Sequence, residues 1–161
     1  MSATGRYDNS TVITDETTGT RLVGGEFYGC VELYDNVTRQ WGPVRGWSAA
    51  GRHHEARMSW ADLACRNLGF REGLATWGYP LRSGVSQWHV ALQDQYHPSY
   101  PSTVPKFIVN QSLPQGEGAT LHDAIDRVVR GPCPYNDYDC KYDYNTMCLA
   151  CKRERTYLTQ R

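Results

Sequence analysis

Ser59-Trp60-Ala61-Asp62-Leu63-Ala64-Cys65-Arg66-Asn67-Leu68, followed by Gly69-Phe70, is the stretch on which the fold of this chain turns. Ala61, Ala64, Cys65 and Leu68 recur at helical spacing on one face, Ser59 can cap the first turn with Asp62 three residues on, and Gly69 stops the run. This predicts one main helix with a cysteine on its buried side. Upstream, Cys30-Val31-Glu32-Leu33-Tyr34 alternates apolar and polar side chains, which predicts a half-buried strand. Asp35-Asn36 reads as the turn after it, and Gln40 to Val44 (QWGPV) as the returning strand of a hairpin. Downstream, Phe107-Ile108-Val109 is a short strand candidate. Leu121 to Val129 (LHDAIDRVV) has the spacing of a second amphipathic helix, ended by Gly131-Pro132.

With 161 residues, 40% of them apolar, the chain is the size of one domain and can fill one core. No apolar run approaches the roughly 18 residues of a membrane span. Seventeen basic side chains balance seventeen acidic ones, so the net charge gives no case for nucleic-acid binding. Residues 1–20 are polar and form an arm that cannot fold alone, residues 21–151 hold the domain, and 152–161 form a tail. Within the domain, about 78–118 reads as a long Pro-rich insertion carrying Pro80, Pro98, Pro101, Pro105 and Pro114.

Six cysteines (Cys30, Cys65, Cys133, Cys140, Cys148 and Cys151) form an even set that predicts a disulfide framework, with fifteen pairings open. The rival reading is a zinc site, because the last four fall within nineteen residues and close with Cys148-x2-Cys151. Asn9, Asn36 and Asn110 each begin an Asn-x-Ser/Thr acceptor triplet and are expected glycan sites, Asn36 foremost because it sits in the hairpin turn. Both features point to an extracellular or cell-surface location. Met1 to Thr20 lacks an apolar secretion signal, so the chain reads as an excerpt of a longer protein.

No catalytic motif is present: there is no G-x-S-x-G, P-loop, H-E-x-x-H or G-x-G-x-x-G. His53-His54-Glu55 lacks a third ligand placed by spacing, and adjacent side chains point apart on any regular element. An enzyme is therefore not expected. Between Arg39 and Arg71, six arginines face two acidic residues, a local basic excess. Of these, Arg45, Arg52 and Arg57 are the expected contact for an acidic protein or anionic glycan, since guanidinium groups pair bidentately with planar anions. The tyrosine-rich run Tyr135 to Tyr144 (YNDYDCKYDY) offers aromatic contact area, with packing around a disulfide-rich loop as the alternative.

Five short motifs then fall in one order: RLVGG at Arg21 to Gly25, GCVELY at Gly29 to Tyr34, WGPV at Trp41 to Val44, Gly46-Trp47, and ADLACRNLGF at Ala61 to Phe70. In this order the chain resembles the scavenger receptor cysteine-rich domain, with inserts around Ala49 to Met58 and Gly78 to Gly118 beyond the family's compact form. A looser match continues at Gly116-Glu117-Gly118, Leu121-His122-Asp123 and Cys133-Pro134. The resemblance implies an α+β fold, a small twisted antiparallel sheet cradling one main helix and stapled by disulfides. It also implies that Cys65 pairs with the closing cysteine of the domain, for which Cys148 is slightly preferred to Cys151. The chain departs from the family pattern at Arg45 and Phe70, where the family has cysteines. Family members often bind calcium through acidic residues, and Asp123, with Asp143 as a further candidate, occupies such a position. Arg45 near the same place would repel a cation, so neither calcium nor any other cofactor is expected.

The function these readings imply is an extracellular, non-catalytic recognition or adhesion module making protein or glycan contacts. One alternative is a structural subunit of a cell-surface or filamentous assembly, in which arm and insertion pack on neighbouring chains. The other is an intracellular, zinc-stabilised subunit of a large complex.

Overall fold

The computed structural model describes residues 8–46, 54–76, 100–109, 118–141 and 146–152. Among them are eight strands: β1 (Asp8–Asp15), β2 (Thr20–Gly24), β3 (Tyr28–Asp35), β4 (Gln40–Arg45), β5 (Gly73–Thr76), β6 (Lys106–Val109), β7 (Ile125–Val129) and β8 (Cys148–Cys151). The helices are α1 (His54–Asn67), a 3-10 turn at Leu121–Ala124, and the four-residue α2 (Tyr138–Lys141). The fold is a mixed α+β sheet with one main helix and three disulfides.

The strands run β1-β2-β3-β4-β6-β7 across the sheet, antiparallel except for the β4–β6 pair. Strand β3 is shared lengthwise: its Glu32–Asp35 half pairs with β4 and its Tyr28–Cys30 part pairs with β8, which in turn pairs with β5. The expected hairpin is present, with Asp35 paired to Gln40 across a four-residue loop. Residues 8–15 of the polar arm lie antiparallel to β2.

Alternation along the strands sends Leu22, Val31, Leu33, Val44, Phe107 and Val109 to one face. There they join Trp60, Ala61, Leu63, Ala64, Cys65 and Leu68 of the helical segment in a single buried cluster. Two glycines permit close strand approach. A side chain at Gly42 would collide with the Pro105 carbonyl on β6's approach, and Gly29, at φ 143°, stands where a Cβ would meet the Val23 carbonyl.

Three expectations are corrected here. First, α1 begins at His54, so Ser59 is an interior residue rather than the cap. The Asp62 carboxylate instead accepts a 2.8 Å hydrogen bond from the Gly73 amide and ties the helix to β5. Second, the segment 121–129 is not a helix: after one 3-10 turn capped by Thr120 and Asp123, the chain becomes β7 and pairs with β6. The open hydrogen-bonding edge of β6 satisfies this backbone, and a spacing of apolar residues cannot reveal that edge. Third, Cys65 pairs with Cys151 rather than Cys148; Cys148 bonds Cys30, its direct cross-strand neighbour, and Cys133 bonds Cys140.

Asn67, a motif residue that sequence reading left without a role, knits three segments together at the end of α1. Its amide oxygen accepts from the Leu121 N–H, its Nδ2 donates to the Ala119 carbonyl, and its own carbonyl accepts from Thr18 Oγ1. Of the Pro-rich stretch, the described residues 100–109 lead into β6, which lies inside the sheet between β4 and β7.

Candidate functional site

The sheet face opposite the apolar cluster carries charges and rings, because the same alternation that sends Val31 and Leu33 inward sends Glu32 and Tyr34 to the other side. Glu32 is 6% exposed. Its carboxylate accepts from Arg21 Nε at 2.7 Å and from Tyr100 Oη at 3.1 Å. The Arg21 guanidinium lies 4.6 Å from the centre of the Trp41 ring, and Trp41 meets its cross-strand neighbour Tyr34 edge to face at 5.3 Å.

Two cations on neighbouring strands are buried on this side. Arg45, 2% exposed, donates to the Cys140 carbonyl at 2.7 Å and to Thr146 Oγ1 at 3.3 Å. Lys106, 3% exposed, donates to the Ser102 carbonyl at 2.6 Å and the Gly131 carbonyl at 2.5 Å. Burial holds the Lys106 amine below the usual lysine range, and the positive charge of Arg45 lowers it further. Both side chains therefore act as internal ties between the sheet and the chain segments laid over it. Arg45 stands where the resembled family has a cysteine, and in this chain a charge-assisted hydrogen bond joins that position to Cys140.

The segment so tied is the most exposed aromatic feature among the described residues. Tyr135 and Tyr138 are 90% and 66% exposed, on a loop closed by the Cys133–Cys140 disulfide. Asp137 organises this loop from within: its carboxylate pairs with Arg127 at 2.5 Å and accepts from the Cys140 amide, while its backbone bonds Pro134 and Lys141. The Lys141 ammonium sits 5.0 Å from the Tyr135 ring centre. The result is a pair of projecting aromatic side chains on a backbone fixed covalently at its base. Such rings lose little conformational entropy on contact, the property that makes tyrosine effective at recognition surfaces.

The remaining expected residues are distributed as follows. Asn36 is exposed in the β3–β4 turn and lines an open cavity of about 400 Å³ together with Glu16, Gly19, Tyr34 and Trp41. Asn9 lies in β1 and Arg57 in α1, whereas Asn110, Arg52, His53 and Asp143 fall outside the described residues. The arginine triad is corrected at Arg45, whose buried, internally bonded guanidinium is not available to an outside anion. Asp123 closes the capping box of the 3-10 turn by accepting from the Thr120 amide, the work of a structural carboxylate. The closing Cys-x2-Cys is not a ligand pair, since its two sulfurs go to different disulfides. No helix among the described residues is long and apolar enough to cross a membrane.

Comparisons with family models, with curated proteins and with solved structures give no match to this chain.

Proposed function

We propose that the protein is an extracellular, non-catalytic recognition module, a divergent member of the scavenger receptor cysteine-rich family, that makes its contact through the Cys133–Cys140 loop. The observation that carries this reading is the pair Tyr135 and Tyr138, projecting from a loop held by a disulfide, the Arg127–Asp137 ion pair and the hydrogen bond from Arg45. Large apolar rings held in solvent on a rigid base suit a partner that covers them. Three disulfides fit an extracellular or secreted protein. The ordered motifs from Arg21 to Phe70 support the family, and so does the disulfide from the helix cysteine, Cys65, to the closing strand.

The test is to display the secreted chain on arrays of glycans and matrix proteins beside the double variant Tyr135→Ala/Tyr138→Ala. The wild type is expected to bind one class of probe, and the variant to lose at least about tenfold, as loss of aromatic anchors does. Binding retained by the variant would move the contact off this loop. Free thiols in a non-reducing peptide map of the native chain would overturn the extracellular reading.

A further inference from the structure

The β3–β4 turn holds its glycan acceptor triplet, Asn36-Val37-Thr38, in a fixed shape. The Asp35 carboxylate accepts from the Val37 and Thr38 amides and, at 2.7 Å, from Thr38 Oγ1. The Arg39 amide bonds the Asp35 carbonyl at 2.7 Å, and Arg39 takes the left-handed conformation, φ 58°, that closes a four-residue hairpin loop. Asn36 is exposed on this turn, Val37 beside it is 71% exposed, and Tyr34 stands two residues before the acceptor.

Asn36 lines a cavity that has aromatic walls, Tyr34 and Trp41, and that Glu16 also lines. Its volume of about 400 Å³ is within the roughly 300–1,000 Å³ of small-ligand sites. Aromatic faces accept the C–H face of a pyranose ring, and a carboxylate accepts from a hydroxyl or an acetamido N–H. A sugar attached at the wall of such a cavity has an effective concentration that free sugars rarely match, which favours the chain's own glycan as the occupant.

We propose that Asn36 carries an N-linked glycan whose first N-acetylglucosamine folds back onto Tyr34 and Trp41, so that the sugar becomes part of the hairpin. This rests on the extracellular reading above, since attachment requires the secretory pathway. In the transfer, the Asn36 Nδ2 forms a bond to the anomeric carbon of a lipid-diphosphate-linked oligosaccharide. The anomeric C–O bond breaks, the lipid diphosphate leaves with the electron pair, and the amide loses one proton to the transferase.

The full chain, secreted from a cell line with N-glycosylation, is mapped by non-reducing glycopeptide mass analysis and then trimmed enzymatically to the first sugar, beside the Asn36→Gln variant, from which the glycan at this site is removed. Occupancy of Asn36 is expected, with ring-current upfield shifts of first-sugar protons in NMR spectra. Those shifts should disappear in Tyr34→Leu. Absence of the glycan in Asn36→Gln should lower Tm by about 3 °C, the shift an ordinary contact gives a chain of this length. Trimming to the first sugar should leave Tm unchanged. An unoccupied Asn36 in a secreted, disulfide-bonded chain overturns the inference while leaving the extracellular reading intact. An occupied Asn36 with neither upfield shifts nor a Tm change on removal also overturns it, reducing the glycan to a coat. Free cysteines in the native chain overturn the extracellular reading itself, and the inference with it.

Discussion

The two faces of the sheet are held by different physics. On one side, Leu22, Val31, Leu33, Val44, Phe107 and Val109 form an apolar layer whose cluster includes Cys65 and Cys151, paired at a sequence separation of 86. On the other, Glu32, Arg45 and Lys106 hold the overlying segments by hydrogen bonds with the Tyr100 hydroxyl and with carbonyls, and the short disulfide Cys133–Cys140, of separation 7, closes one of those segments. The apolar side is close-packed and non-directional, so it fixes the fold. The polar side is directional and fixes where one loop, the one bearing Tyr135 and Tyr138, stands relative to it.

Removing single elements should expose this contrast. Of these two disulfides, the larger loss is expected from Cys65→Ala/Cys151→Ala, about 4.5 kcal/mol by loop entropy, against about 2.5 kcal/mol for Cys133→Ala/Cys140→Ala. Equilibrium denaturation without reductant compares them; equal losses would mean that the short disulfide also supports the core. Arg45→Ala should cost about 2–3 kcal/mol, because the Cys140 carbonyl is left without its buried donor. The same variant should raise the Lys106 pKa, since one of the two causes depressing it is gone. NMR titration of the Lys106 amine reads this directly.

Asp35 tests a smaller contribution, with a pH signature. The Arg130 guanidinium, in two 2.8 Å hydrogen bonds, holds its carboxyl well below the ordinary value of 3.8, helped by Thr38 and Val37 and opposed by burial. A carboxyl whose folded pKa is depressed stabilises the fold fully above the unfolded value and loses that contribution as pH falls below it. Asp35→Ala should therefore cost about 2 kcal/mol at pH 7, and the gap from wild type should narrow from about pH 4 downward. A gap independent of pH would assign the loss to the turn alone. The smallest stability effect is expected from Tyr135→Ala/Tyr138→Ala, within about 1 kcal/mol, because both residues are largely exposed and the Lys141 contact to the Tyr135 ring lies at the surface. A larger drop in Tm would place these rings in the fold rather than in recognition.

Much of the apolar side was legible in the sequence. The alternation of Val31 and Leu33, the turn at Asp35-Asn36, the return through Trp41 to Val44, the helical spacing of Ala61, Ala64, Cys65 and Leu68, and the strand at Phe107 to Val109 all rest on local periodicity. Little of the candidate site was. The tyrosines between Tyr135 and Tyr144 could be recognised as contact residues or as packing, but exposure depends on what lies over a side chain, and sequence spacing carries no record of that.

By itself, then, the sequence determined those elements whose pattern repeats within a few residues, together with the even cysteine set and the acceptor triplets, because each depends on neighbours along the chain. Only the tertiary structure decided that Ile125 to Val129 extends along β6 instead of coiling, that Cys148 takes Cys30 and leaves Cys151 to Cys65, and that Arg45 turns inward to Cys140. Each of these has a local alternative of comparable energy: helix against strand for an apolar repeat, one thiol against another three residues away, solvent against a carbonyl for a guanidinium. Partners distant in sequence, an open strand edge, an adjacent β-strand and an orphan carbonyl, supply the hydrogen bonds and covalent geometry that settle the choice.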